Sequence, residues 1–220
     1  PLVFAAITPH PPFLIPTIGQ DAAARLEKTR AALQRLEEDL YVTRPQVIII
    51  VSPHSSYYHE AFAANADTEF RSRFEAFGDL TTKKTWRGSP DLAARLAHHG
   101  PTRTTPVRLV SEPSLDYGAS VPLYFLTTHL PECRILPLGF SHVSPKEHLQ
   151  FGELIKEVAQ ESNLRIALIA SGDLAHTVTN DAPAGFRPEG AQFDQTLQEL
   201  LVARNTVGIA NLSPDLIAKA

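Results

Sequence analysis

With a single cysteine, Cys133, the chain has no internal disulfide framework, and a reducing compartment is expected. No apolar run approaches the roughly 18–20 residues that span a bilayer. The start of the chain shows no signal-peptide pattern, and Pro1 reads as the residue left after loss of an initiator methionine. Positive charge is not in excess either: the net charge is -4, which argues against a nucleic-acid binder. Also missing are a G-x-S-x-G elbow, a Walker loop and a G-x-G-x-x-G turn after a strand. Triad hydrolase, NTPase and dinucleotide chemistry therefore lack their signatures. No internal repeat or low-complexity segment is evident. What these absences leave is a soluble, cytoplasmic globular protein with neither a nucleic-acid nor a membrane partner. Its 220 residues, 43% hydrophobic, suffice for a single domain over residues 1–220.

What is present centres on Val47-Ile48-Ile49-Ile50-Val51-Ser52-Pro53-His54. Five β-branched residues in a row predict a strand buried on both faces, because a half-buried strand would alternate with polar residues. Residues 3–7 predict a second strand, followed by Thr8-Pro9-His10 in the same grammar of strand, small polar residue, proline, histidine. Residues 166–170 predict another buried strand, ending in Ser171-Gly172-Asp173-Leu174-Ala175-His176. Between these lie amphipathic patterns. Leu26, Leu33, Leu36 and Leu40 share one face of a helix over about residues 21–40. Ser89-Pro90-Asp91 opens a helix that stops at Gly100, and Ser120 is expected to cap one running to Leu130. Ser144 and Glu147 form a capping box, and Ser213-Pro214-Asp215 opens a last helix. Pro11, Pro12 and Pro16 predict an extended loop. Residues 105–110 and 134–138 read as strands, the second with a proline that points to an edge or a bulge. Residues 57–86 are consistent with strands or turns of an aromatic excursion. The alternation predicts an α/β fold, a three-layer α/β/α sandwich with a central mixed, mostly parallel sheet.

Three strands thus deliver His10, His54 and His176 to a carboxyl edge, where open α/β sheets bind their ligands. Neutral imidazoles there suit Zn, Cu, Fe or Ni, or proton transfer, while a lone partly buried histidine is ordinarily structural. His10 and His54 each follow a proline, whose fixed φ suits a metal ligand. His176 follows a glycine-containing turn and is placed at a helix start. That suits an acid–base residue, with Asp173 either its orienter or merely a cap. His59 reads as a surface or outer-shell residue, His142 as a solvated loop residue after a strand, His129 and His148 as structural, and His98 and His99 as partners of a helix C-terminus. Cys133 reads as a small buried apolar residue.

The ordered motifs Thr8-Pro9-His10-Pro11-Pro12, Ser52-Pro53-His54, Leu115-Asp116-Tyr117-Gly118-Ala119-Ser120-Val121-Pro122-Leu123 and Ser171-Gly172-Asp173-Leu174-Ala175-His176 resemble those of the class III extradiol ring-cleavage dioxygenases. The likeness is to their catalytic B subunit, of the protocatechuate type, and covers nearly the whole chain. One branch of that superfamily carries this domain ahead of an AMMECR-type module. The resemblance implies that His10 and His54 hold a non-haem Fe(II) together with a glutamate from near the C-terminus. It further implies that a small aromatic diol and O2 are the reactants and that His176 is the acid–base residue. Asp116 and Tyr117 fall in the substrate-binding motif. The expected assembly is a homo-oligomer or a complex with a partner subunit or module. The chain departs from the pattern at Tyr117, where many relatives have histidine. The glutamate is expected shortly after Ser213-Pro214-Asp215, so either the sequence stops short at Ala220 or the third ligand differs. Zinc in the same pocket, serving a hydrolase, is the alternative metal, and a non-catalytic partner or scaffold domain is the alternative role.

Overall fold

The computed structural model describes residues 1–20, 24–56, 58–99, 106–182 and 184–220. The expected helix start at Asp21, the excursion's first residue Tyr57, the helix stop at Gly100 and the strand start at Thr105 lie outside them. The described chain forms two compact units, Pro1–Gly172 and Asp173–Ala220, each taken by itself below.

In chain order the first unit runs β1 (Leu2–Thr8), α1 (Pro16–Gly19), α2 (Glu27–Thr43), β2 (Val47–Ser52), β3 (Phe62–Asn65), β4 (Glu69–Ser72), β5 (Thr85–Arg87), α3 (Pro90–His98), β6 (Val107–Val110), β7 (Ser114–Leu115), α4 (Tyr117–Leu126), β8 (Arg134–Gly139), α5 (Pro145–Glu161) and β9 (Ile166–Ser171). A six-stranded sheet has the order β1-β9-β2-β8-β3-β6, and a three-stranded sheet the order β5-β4-β7. In the larger sheet only the β3–β8 pair is antiparallel. The mixed, mostly parallel sheet expected from the sequence is therefore present.

The β-branched run of β2 behaves as its composition dictates. Val47 and Ile49 point into a core built with Leu92, Leu96, Phe151 and Leu154 of α3 and α5. Ile48 and Ile50 point the other way, into a core with Leu40, Leu123 and Leu126 of α2 and α4. Side chains alternate across a strand, so a run apolar at every position needs cover on both faces. Each of the three isoleucines is fully buried, and such burial is worth about 1.5–3 kcal/mol. Helices on both faces of one sheet make the three layers.

Several local expectations are corrected. Pro11 and Pro12 open a 3-10 turn over Pro12–Leu14, and Pro16 begins α1, because proline is favoured at a first helical position, where no N–H is needed. Pro137 sits in an internal strand, not at an edge. The β3 ladder reaches only Leu138 and Gly139, and Gly88 bridges Ile135, so Pro137 lies between these contacts. The helix expected to be capped by Ser120 begins four residues earlier, with Asp116 as its cap. Ser89 precedes α3, but its hydroxyl donates to Asp91 rather than accepting from the helix. The Ser144–Glu147 capping box forms as expected.

Two buried polar groups of this unit carry predictions. Asp79 is 6% exposed and accepts from Thr17 Oγ1 at 2.5 Å, Thr81 Oγ1 at 2.8 Å and the Thr81 and Thr82 amides. Burial alone would raise its pKa, but the hydrogen bonds from Thr17, Thr82 and Thr81 outweigh it and hold the carboxyl well below the usual range. A depressed folded-state pKa stabilises the protein above the unfolded value near 3.9 and ceases to do so as pH falls through the folded value. Asp79→Asn is expected to cost about 1–3 kcal/mol at neutral pH by urea unfolding, and the gap from wild type should shrink below about pH 4. Cys133 is 4% exposed, and burial pushes its thiol up to about 12. It should resist iodoacetamide in native protein at mildly alkaline pH and label only on unfolding, because the thiolate is the reactive form.

The second unit holds α6 (Pro188–Val202), α7 (Thr206–Ala210) and α8 (Pro214–Lys219). Ser213 caps α8 through its side chain, as the sequence predicts, while α7, capped by Asn205, was not anticipated. Among the described residues, no helix is long and apolar enough to cross a membrane.

Candidate metal centre

His10 and His54 stand two residues past the ends of β1 and β2. These strands run parallel on either side of β9, so both histidines emerge at the same carboxyl edge. There the Nε2 atoms approach to 3.1 Å, with ring centroids 4.9 Å apart and planes at 89°. His10 is buried and His54 is exposed.

Three supports hold this pair. The Ser52 hydroxyl donates to Asp116 Oδ1 at 2.5 Å and accepts the His54 amide at 3.2 Å, so Asp116 seats the backbone of His54 through Ser52. The same carboxylate oxygen accepts the Ala119 amide at 3.0 Å, capping α4. Gly118 makes room for the ring: a Cβ there would lie 2.5 Å from Ser52 Oγ and 3.0 Å from His54 Cδ2. Tyr117 stacks on His54 with centroids 4.2 Å apart, its hydroxyl 3.2 Å from His54 Nδ1.

The proton positions follow from the network. The Ser171 hydroxyl donates to the Gly118 carbonyl at 2.5 Å, and a hydroxyl has one proton. His10 Nδ1, 2.8 Å from Ser171 Oγ, must therefore be the donor, which leaves the lone pair of His10 on Nε2.

The pair suits a metal by geometry. Ligand nitrogens about 2.1 Å from one ion and about 90° apart are separated by about 3 Å, the spacing seen here. Among the described residues, no group of three His, Cys, Asp or Glu side chains that could hold a metal ion forms. A cleft of 490 Å³ adjoins His54, lined in part by Tyr58, Ala63, Asn65, Glu112, Leu115 and Asp116. It meets the size range of small-molecule sites.

A family model described as the catalytic LigB subunit of aromatic ring-opening dioxygenase matches residues 4–220. The chain belongs to the LigB family. It is 26% identical over 223 residues to a Clostridium acetobutylicum protein that carries only a locus designation, covering 97% of this chain and 48% of that protein. It is 25% identical over 186 residues to the 4,5-DOPA dioxygenase extradiol of Mirabilis jalapa, covering 80% of this chain and 66% of that enzyme. The chain thus spans about half the length of one curated relative and just under two thirds of the other. An uncharacterized Escherichia coli K12 protein shares the fold, with a TM-score of 0.56 and 21% identity over 79% of this chain and 65% of that one.

In this LigB-family chain the other sequence-selected residues fall as follows. Asp173 and His176 belong to the second unit and are both exposed. No helix begins there, which corrects the expected helix start. The segment is a loop whose His176 amide donates to the Ala220 carbonyl at 2.8 Å and whose Ala175 amide donates to Asp194 Oδ1. His59 and His142 stack with centroids 5.0 Å apart. His129 bonds the buried Glu37 at 3.0 Å, and His98 Nδ1, in the last turn of α3, bonds the Ala94 carbonyl. Sequence reasoning gives Ser52 and Gly118 no separate role and Ser171 only that of a possible helix cap. A proline four residues after Gly118 was the available signal, since it marks a helical carbonyl without its usual donor.

Proposed function

We propose that this domain carries the centre of a non-haem Fe(II)-dependent extradiol dioxygenase that opens a catechol-type ring with O2, in the metabolism of aromatic compounds. The observation that carries the reading is the 3.1 Å approach of two strand-end histidines in a LigB-family chain.

His10 and His54 would hold the iron, with a carboxylate as the third ligand. Iron(II) there would supply neighbouring coordination positions for the two diol oxygens and for O2, bringing both reactants to one centre. The chain's own groups do the rest. The cleft beside His54 takes a flat ring against Ala63 and Leu115, with Asn65 and Glu112 offering polar contacts. Tyr117 presents a hydroxyl beside the pair and fixes the plane of His54 by stacking. Its unperturbed pKa near 10 suits a hydrogen-bond donor rather than a base. Asp116 acts on the site by holding Ser52 and the start of α4. Proton removal from the diol is assigned to His176, the imidazole of the family's acid–base motif. His176→Ala is expected to lower turnover with little change in metal content, by about 10²–10⁴-fold.

An oxygen electrode with a panel of catechols tests the proposal. Uptake with bound Fe(II), absent with bound Zn(II), supports it. No uptake across the panel with iron bound at stoichiometry rejects it.

A further inference from the structure

We propose that Ser171 is a positioning residue that sets the tautomer of His10, and that Pro122 enables it by releasing the Gly118 carbonyl. The consequence for metal binding rests on reading His10 as a ligand; the tautomer itself does not.

The chain of cause begins in α4. An α-helix pairs each N–H with the carbonyl four residues earlier, and Pro122, inside α4, has no N–H. The Gly118 carbonyl therefore lacks its helical donor while lying in a buried stretch. A buried acceptor left unmade costs about 1–3 kcal/mol, so it takes another donor. That donor is the Ser171 hydroxyl, at 2.5 Å. Ser171 reaches it because it ends β9 in register with Thr8 of β1, which also places it beside His10 two residues on. With its one proton committed, Ser171 Oγ can only accept from His10 Nδ1, and His10 is 2% exposed, so water does not compete.

Were position 122 to carry an N–H, the carbonyl would have a helical partner. Ser171 could then turn its proton toward His10 Nδ1. His10 would carry its hydrogen on Nε2, the nitrogen that faces His54, and its lone pair would point away from the site. One proline in a helix thus decides which face of a histidine some distance along the sheet edge is available.

The test reads the tautomer directly. In the metal-free full chain with ¹⁵N-labelled histidine, long-range ¹H–¹⁵N correlation above the imidazole titration range should show His10 as the Nδ1–H form. Ser171→Ala should populate the Nε2–H form and weaken Zn(II) binding by about 10–100-fold, the usual cost of losing an outer-shell partner. Ser171→Thr, which keeps the hydroxyl, should restore both. Pro122→Ala should shift the tautomer with helix content by circular dichroism retained. An unchanged Nδ1–H signature in Ser171→Ala, or a loss of zinc affinity that threonine does not restore, overturns the role of Ser171. An unchanged signature in Pro122→Ala overturns the role of Pro122. Because the tautomer is read without metal or substrate, a protein inactive toward catechols still gives a decisive result.

Discussion

His10→Asn is expected to abolish metal binding while leaving the fold in place. The asparagine amide can still donate toward Ser171 Oγ, the partner that His10 Nδ1 has at 2.8 Å. It cannot supply the second nitrogen that meets His54 Nε2 at 3.1 Å. Loss of a direct ligand should exceed the 10–100-fold typical of an outer-shell loss, so affinity for Fe(II) or Zn(II) should fall by more than about 100-fold. His10→Ala should lose metal to the same degree and also destabilise the protein, since it leaves a cavity at a site 2% exposed. Equilibrium dialysis for the metal and thermal unfolding for the fold separate these effects. Normal affinity in His10→Asn would remove His10 from the ligand set.

Gly118→Ala is expected to damage the same centre from the opposite side. Alanine is the better helix former by about 0.8–1 kcal/mol, which favours the substitution in the first turn of α4. Sterics oppose it more strongly. The new Cβ would sit 2.5 Å from Ser52 Oγ and 3.0 Å from both Asp116 Oδ1 and His54 Cδ2. Ser52 Oγ cannot simply rotate away, because it is committed to Asp116 at 2.5 Å and receives the His54 amide. Relief therefore has to come from moving the His54 ring or the start of α4. Overpacking of this kind costs about 1–3 kcal/mol, so a small net destabilisation is expected. Metal affinity should drop by more than about tenfold, because ligand positions must hold to within about 0.2 Å. A folded variant with unchanged affinity would show that His54 does not need its present place.

Much of this architecture was written in local composition. The run from Val47 to Val51 named a two-faced strand, and its odd and even members do enter opposite cores. The proline-preceded histidines were legible because strand, proline and histidine recur in the same order at His10 and His54. Their convergence was an inference from the shared carboxyl edge, and the 3.1 Å contact gives it substance. The start of α4 falls earlier than Ser120 predicts because Asp116, another good capping residue, accepts the Ala119 amide. Proline is tolerated at its sixth position only because Ser171 serves the freed carbonyl, a contact between residues far apart in sequence. The contacts of Ser52, Gly118 and Ser171 are not legible in the sequence for the same reason: small residues carry little signal until their neighbours are placed. Pro137 points to an edge or a bulge for the strand over residues 134–138, yet the strand is internal and the sheet accommodates the proline where the β3 ladder stops short. His176 reads in the sequence as part of a strand-end motif, and in the structure it lies on an exposed loop of the second unit.

The proposal that this centre performs ring-opening dioxygenation is tested most directly by isotope. Fe(II)-loaded full-length protein, given a catechol it consumes under ¹⁸O₂, should yield a ring-opened semialdehyde acid containing both oxygen atoms of one O2, and His54→Ala should yield none. Turnover of the same substrate without incorporation of O2-derived oxygen, or equal turnover with Zn(II) in place of iron, would contradict it.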